Sequence, residues 1–335
     1  MKITCLARLY VRALTGLPLV LVIGLPGAEI RAATEGNMIT TLRNATATLS
    51  LATLLASCGG GDGGGGMAST PPPVTYKTLA ELSGDQTFQS GGITGVPVGP
   101  ELRNQSTLAF GQGVEIRYSA ATDSYNLNNG SGLVVEFAPA QVVNRNDTTV
   151  TWQKPAGNGA VDFLSISNPS VNGVKLSYAL FGNWTHYQPG ADRSYSLVGG
   201  VPTQATDVPR SGSATYATQV VGLAARSGQG YYLIGESTGT FSANFGSNSV
   251  STSLTLAGKA PNSTVVTSFG NFNGTGTISS SGPGFTGTLS GSNASGAFSG
   301  AFFGPRGIEA GYTFFLNGTT DTTLSVQGAL FGKKN

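Results

Sequence analysis

The sequence predicts an all-β protein, with a small N-terminal β domain followed by an eight-stranded antiparallel β-barrel. Three observations carry that expectation. Charged residues fill only 10% of the 335 positions, against about 25% in an average soluble domain, which leaves few long polar side chains to clothe helices. Glycine supplies 50 positions, and with the abundant Ser, Thr, Val and Asn it favours short strands and tight turns over helix. In the second half, apolar residues recur at every second position in short runs bounded by Gly, Asn, Ser or Pro, the period of a strand with one buried face.

Length and charge narrow the classes further. A chain of this size can bury a real core in one large or two modest β domains. A formal net charge of +2 makes no field strong enough to suggest nucleic acid as a partner. The two cysteines, Cys5 and Cys58, both lie near the N-terminus, so the folded part has neither a disulfide framework nor thiol chemistry.

Residues 1–57 read as an address. Ala45 to Ser57 form a short, mainly apolar run behind Arg43, too short to span a bilayer as a helix. Leu55-Ala56-Ser57-Cys58 resembles the lipobox of bacterial lipoproteins. That resemblance implies lipidation at Cys58, cleavage before it, and use of an envelope export machinery. Several acyl chains, palmitate among them, give lasting membrane attachment where one chain would be marginal. Gly59 follows the cysteine where many enteric lipoproteins carry a retention aspartate, which points to the outer membrane. The start is open between Met38, well placed for such a signal, and Met1, which would add an earlier apolar run at Leu17 to Pro26.

Residues 58–74 contain GGGDGGGGMASTPPP and read as a flexible tether. Residues 75–209 carry irregular strand signals at Gly113–Ser119, Ser124–Leu127, Leu133–Phe137, Val150–Trp152 and Lys175–Trp184, with a turn at Asn128-Asn129-Gly130.

Residues 210–335 are more regular. Phe241, Ala243 and Phe245 share a face, as do Val250, Thr252, Leu254 and Leu256 across a Gly246-Ser247-Asn248 turn. Phe285/Gly287/Leu289, Phe298/Gly300/Phe302, Tyr312/Phe314/Leu316 and Leu324/Val326/Gly328/Leu330 continue the alternation. With segments near Ala214, Tyr231 and Phe272 the count is about eight, the number that closes a small barrel whose lumen side chains fill. Outward positions are mainly Thr, Ser and Asn, too polar for the lipid-facing band of a membrane-spanning barrel.

Gly296 to Leu316, GAFSGAFFGPRGIEAGYTFFL, resembles a stretch of the β-barrel domain of transferrin-binding protein B and related surface lipoproteins. Gly328 to Lys334, GALFGKK, is similar to the closing segment of that domain. Ser211–Tyr216 and Gly239–Phe245 are similar to two of its earlier strands. The resemblance is good over residues 210–335 and looser over 75–209, so the chain looks like a single-lobe relative with one handle and one barrel. It implies a surface binding role, since relatives capture iron-carrying host proteins, haem-bearing ligands or complement regulators, mainly through handle loops.

Chemistry-bearing residues are scarce. His186 is the single histidine, and Asp123, Asp147, Asp162, Asp207, Glu236 and Glu309 show no paired spacing of the kind hydrolases use, so no enzyme is expected and no resident cofactor or metal is implied. His186 follows a strand and precedes Pro189-Gly190. It reads either as an exposed loop residue of a type that ligates haem iron or as a surface histidine packed by aromatics. His186 and Tyr187 are therefore the candidate ligand contacts. Tyr187, Tyr195, Tyr231 and Tyr232 form a contact patch or serve as ordinary strand packing.

The expected function is a lipoprotein anchored at the outer membrane or cell surface. It captures a host or environmental ligand, with iron or haem acquisition among the roles of relatives and haem the small ligand of interest. The alternative is an envelope-interaction lipoprotein with no nutrient ligand, whose partner is another envelope protein. A small-molecule carrier using the barrel interior is disfavoured by the inward Phe residues.

Overall fold

Short β-favouring runs separated by Gly and Asn turns become twenty-two strands in the residues that the computed structural model describes, 75–335. The leader, the tether and Cys58 lie outside those residues. In chain order the first strands are β1 Gln86–Phe88, β2 Gly91–Val98, β3 Glu101–Leu108, β4 Glu115–Ser119, β5 Ser124–Asn128 and β6 Val134–Phe137. The handle continues with β7 Val142–Arg145, β8 Thr149–Pro155, β9 Val161–Ser167, β10 Ser170–Val171, β11 Val174–Lys175, β12 Ala179–Tyr187 and β13 Arg193–Gly200. Then follow β14 Ser213–Arg226, β15 Gly230–Leu233, β16 Thr238–Asn244, β17 Ser249–Lys259, β18 Val266–Ile278, β19 Gly284–Gly291, β20 Ala294–Phe303, β21 Glu309–Gly318 and β22 Leu324–Lys334.

The handle is a sandwich. One sheet runs β1-β4-β5-β6, the other β3-β2-β13-β12-β9-β8-β7, all antiparallel, with β10 and β11 as a separate hairpin. Between the sheets lie Ile116, Leu127, Val135 and Phe137 from the smaller sheet and Trp152, Leu164, Trp184, Tyr195 and Leu197 from the larger. Trp184 stacks on Tyr195, its cross-strand partner, with centroids 5.0 Å apart, the arrangement that aromatic pairs on neighbouring strands favour.

The second half closes into a ring of eight strands. Each of β16 to β22 pairs with its neighbour, and β22 returns to β14 over the full register from Tyr216↔Lys334 to Arg226↔Leu324. Closure removes both edges. The segment near Tyr231 is not a ring member of its own: β15 and β16 both run antiparallel to β14, β15 beside Leu223–Arg226 and β16 beside Ser213–Tyr216. They are one strand broken at residues 234–237, where Ser237 Oγ takes over pairing with Ala257.

The residues predicted to face inward fill the lumen. Phe241, Phe285, Phe298, Phe302, Tyr312 and Phe314 are buried in one cluster with Val250, Leu254, Leu289, Leu316, Val326 and Leu330. Each such side chain contributes roughly 1.5–3 kcal/mol by leaving water. Glycines between them make room: a Cβ on Gly287 would come within 2.3 Å of Phe298 Cζ. Thr252, the polar residue of its inward run, donates to or accepts from Tyr312 Oη at 2.7 Å. On β17 to β19 the outward residues, such as Ser251, Thr255, Thr275, Thr286 and Thr288, are exposed.

Strands β20 to β22 differ because the larger handle sheet covers their outer face. Outward Ser299, Ala301, Thr313 and Ala329 are fully buried, and their small size lets the two sheets approach. Ser299 Oγ donates to Leu108 O, Thr313 Oγ1 to Ser196 O and Ser325 Oγ to Leu102 O. Phe181 meets Phe331 edge-on at 5.6 Å. The described residues thus form three layers, and residues 75–335 cluster within one compact unit. Among the described residues no helix is long and apolar enough to cross a membrane.

Candidate functional site

Two places gather polar side chains into ordered structure: the free end of the handle and the joint between handle and barrel. Antiparallel pairing brings the β2–β3, β8–β9 and β12–β13 turns to one end of the larger handle sheet, because Tyr187 pairs with Val161 and Ser194 with Gly95. The sheet abuts the barrel through Leu102, Leu108, Ser196 and Phe181, so the β2–β3 turn lies beside the barrel and the β8–β9 and β12–β13 turns form the end away from these contacts.

His186 corrects the sequence reading. It is not an exposed loop residue but the next-to-last residue of β12, 6% exposed and on the same face as Trp184. The strand runs right up to the Pro189-Gly190 turn, so the turn signal marks its end more tightly than the sequence suggests. Asp162 Oδ1 accepts from the Trp184 indole N–H at 2.9 Å and lies 2.8 Å from His186 Nδ1, while His186 Nε2 lies 3.0 Å from Gln188 Oε1. Both ring nitrogens are occupied, which leaves none to ligate a metal in this arrangement. Burial pushes the imidazole down, but the hydrogen bonds to Gln188 and Asp162 and the Asp162 charge outweigh it, so the pKa lies above its ordinary value. The imidazolium form donates from both nitrogens and suits both acceptors.

Tyr187 points to the other face of β12, half-buried, and meets Phe163 edge-on at 6.0 Å. Burial, with the nearby Asp192 charge, raises its phenol above the ordinary value. Beyond it the turn is self-braced: the Gln188 N–H donates to Asp192 Oδ1 at 2.8 Å and the Ala191 N–H to Gln188 O at 2.8 Å. The buried His186 therefore acts on this turn through Gln188, and Tyr187 with Phe163 forms an aromatic shelf beside it.

The four tyrosines weighed as a patch do not assemble. Tyr195 lies in the handle core, with Oη accepting from Asn129 Nδ2 at 2.9 Å. Tyr231 and Tyr232 belong to β15 on the barrel, where Tyr232 packs edge-on to Phe269 at 5.3 Å.

The joint is built by the stretch Gly304 to Glu309. Glu309, 2% exposed, accepts three backbone N–H groups from the handle: Ser177 at 2.7 Å, Tyr178 at 2.8 Å and Ala179 at 3.0 Å. Burial raises this carboxyl, and the three donors and Lys333 pull it down without fully offsetting the burial. The expected single strand from Lys175 to Trp184 is accordingly interrupted: β11 ends at Lys175, and residues 176–178 turn toward Glu309 before β12 begins at Ala179. Alongside, Asp207 accepts from Tyr76 Oη at 2.9 Å and from the Arg306 N–H at 2.8 Å. Burial first, and then Asp207, push the Tyr76 phenol up to about 12. Thr203 ties residue 304 from the linker side, its Oγ1 donating to Gly304 O at 2.7 Å. Sequence reasoning singled out this stretch by resemblance and left its local task unread, because the groups Glu309 holds lie 130 to 132 residues away.

No family model and no curated protein matches the sequence. The chain is similar to solved structures of transferrin-binding protein B. A double mutant from Haemophilus parasuis Hp5 is 16% identical with a TM-score of 0.38, over 70% of this chain and 53% of that one. The isotype 1 protein from serogroup B Neisseria meningitidis is 18% identical with a TM-score of 0.39, over 69% of this chain and 44% of that one. Intact Ap-TbpB, with N and C lobes, is 13% identical with a TM-score of 0.38, over 77% and 79%. The match thus spans about half the length of the first two.

Proposed function

We propose that this protein is a lipid-anchored binding lipoprotein, held at the outer membrane or cell surface through Cys58, that captures a macromolecular ligand on the free end of its handle. The observation that supports this most is the division of labour in the fold. The barrel lumen is packed with aromatic side chains and the handle is clamped to the barrel by Glu309. The barrel therefore offers an internal ligand no room, and the braced turn at residues 188–192, with the half-buried Tyr187–Phe163 pair beside it, sits at the end of a sheet fixed to the barrel. Rigid presentation of aromatic anchors beside a polar loop suits protein recognition. With both nitrogens of His186 engaged, a macromolecule is a better ligand for this site than haem.

The test has two parts. Intact protein is used as bait against host fluid and against envelope extract, beside a Tyr187→Ser/Phe163→Ser variant. Capture of one host protein by the parent and not by the variant supports the reading, whereas equal capture by both overturns the site. Recovery of envelope proteins alone turns the function toward envelope assembly. Mass measurement of the N-terminal peptide of the exported protein decides the anchor: an acylated Cys58 at the terminus supports it, and an uncleaved, unmodified chain ends it.

A further inference from the structure

We infer that the end of the molecule where the chain enters the handle is a basic docking face for an anionic bilayer surface. This rests on the anchoring reading only for the point of attachment.

The described residues carry thirteen basic and thirteen acidic side chains, so the folded part has no overall bias. Its distribution is uneven. Tyr76, at the entry of the chain, bonds Asp207 and receives the Gln204 N–H. Asp207 in turn holds the Arg306 N–H, Arg210 reaches Ala205 O and Ser280 O, and the Lys334 N–H donates to Ile308 O. Lys333 pairs across from Glu309, which also holds Ser177, and Leu79 hydrogen-bonds Ser177 two residues after Lys77. This chain of contacts places Lys77, Arg210, Arg306, Lys333 and Lys334 on one rim. None of the five forms an ion pair among the described residues, and all but the half-buried Lys333 are exposed.

The acids nearby are occupied differently. Glu309 is buried under three N–H donors, Asp207 takes a phenol and an N–H, and Glu81 caps Thr78. Elsewhere eight cations face ten acids, and Arg103, Arg117, Arg226 and Lys259 are each paired with one. Five cations without an ion pair on one rim, against three acids, give it a formal charge of +2, while the remaining eight cations and ten acids leave the rest of the described fold at −2.

Position selects the occupant. Sixteen residues separate Cys58 from Thr75, a reach of at most about 60 Å. An acylated Cys58 keeps this rim, rather than the free end of the handle, nearest the lipid, well placed to settle on anionic headgroups.

Full-length Cys58→Ala protein, which has no acyl chain, is sedimented with vesicles of phosphatidylcholine and with phosphatidylcholine–phosphatidylglycerol vesicles. Neutralising all five cations to Gln is expected to lower the preference for the anionic vesicles by about three-thousandfold, each basic side chain near such a surface contributing about fivefold. An Arg117→Gln/Arg145→Gln/Lys154→Gln variant keeps the preference, and so does Lys77→Arg/Lys333→Arg/Lys334→Arg, which preserves charge and guards against a folding defect. A rim variant that partitions like the parent, or a charge-preserving variant that loses the preference, overturns the inference. Binding contributed by the leader is common to all variants and cancels. The outcome is independent of whether Cys58 is acylated in the cell, which the mass measurement decides separately.

Discussion

Gly304 lies against the ring of Tyr178, so close that a Cβ on the glycine would sit 2.4 Å from Tyr178 Cδ2. Its φ of +68° is one that side chains other than glycine rarely adopt. The barrel turn and the handle segment leading into β12 are thus fitted to each other at a position that accepts one residue type. Gly304→Ala is expected to cost about 2–4 kcal/mol, the sum of left-handed strain and overpacking, read as a lowered urea midpoint. An unchanged midpoint would show that the handle does not press on this turn.

Glu309 tests the same joint from the other side. Glu309→Gln places an amide NH₂ among three N–H donors, so at least one buried donor loses its acceptor. A loss of about 2–4 kcal/mol is expected. Cleavage by a nonspecific protease should rise first at residues 170–178, where the freed backbone turns. Wild-type cleavage kinetics in that segment would remove Glu309 as the clamp.

Much of the barrel was legible in the sequence and much of the handle was not, for one physical reason. Strands β16 to β19 have one face in the lumen and one in water, so Phe241, Leu254 and Phe285 alternate with Thr and Ser in a pattern that reads directly. Strand β13, RSYSLVGG, lies in the middle layer and is buried on both faces from Tyr195 to Gly200, which erases the alternation. Strand β2, GGITGVPV, carries Gly where it is pressed against its neighbour: a Cβ on Gly92 would come within 2.1 Å of Ser196 O. The candidate site suffered from distance. Trp184 and His186 share a face by period two, but the carboxylate that joins them, Asp162, is on another strand and 22 to 24 residues away.

Gly287→Ala drives a methyl into Phe298 Cζ at 2.3 Å and is expected to cost about 1–3 kcal/mol through overpacking. Phe298→Leu beside it should restore part of the loss by freeing volume, and a double-mutant cycle measures the coupling. Additive effects would place the two residues out of contact.

The His186–Asp162 pair makes handle stability depend on pH in a defined direction. The folded pKa of His186 is raised above its ordinary value of 6.5, so folding favours the protonated ring. The contribution is fully present below the unfolded value and is lost as pH rises through the higher folded value. Urea midpoints of the parent should therefore fall across that window on going alkaline, while those of His186→Gln should stay flat there. Asp162→Ala removes the carboxylate shared by His186 and Trp184, leaves the indole N–H and the imidazole without it in the handle core, and is expected to cost about 3 kcal/mol or more. Because Gln188 is bonded to the same ring, either change should also loosen the 188–192 turn, visible as faster amide exchange at Gln188 and Ala191 before the core opens. A turn that exchanges as in the parent would mean that Asp192 alone braces it, and the histidine would then serve the handle core and nothing beyond it.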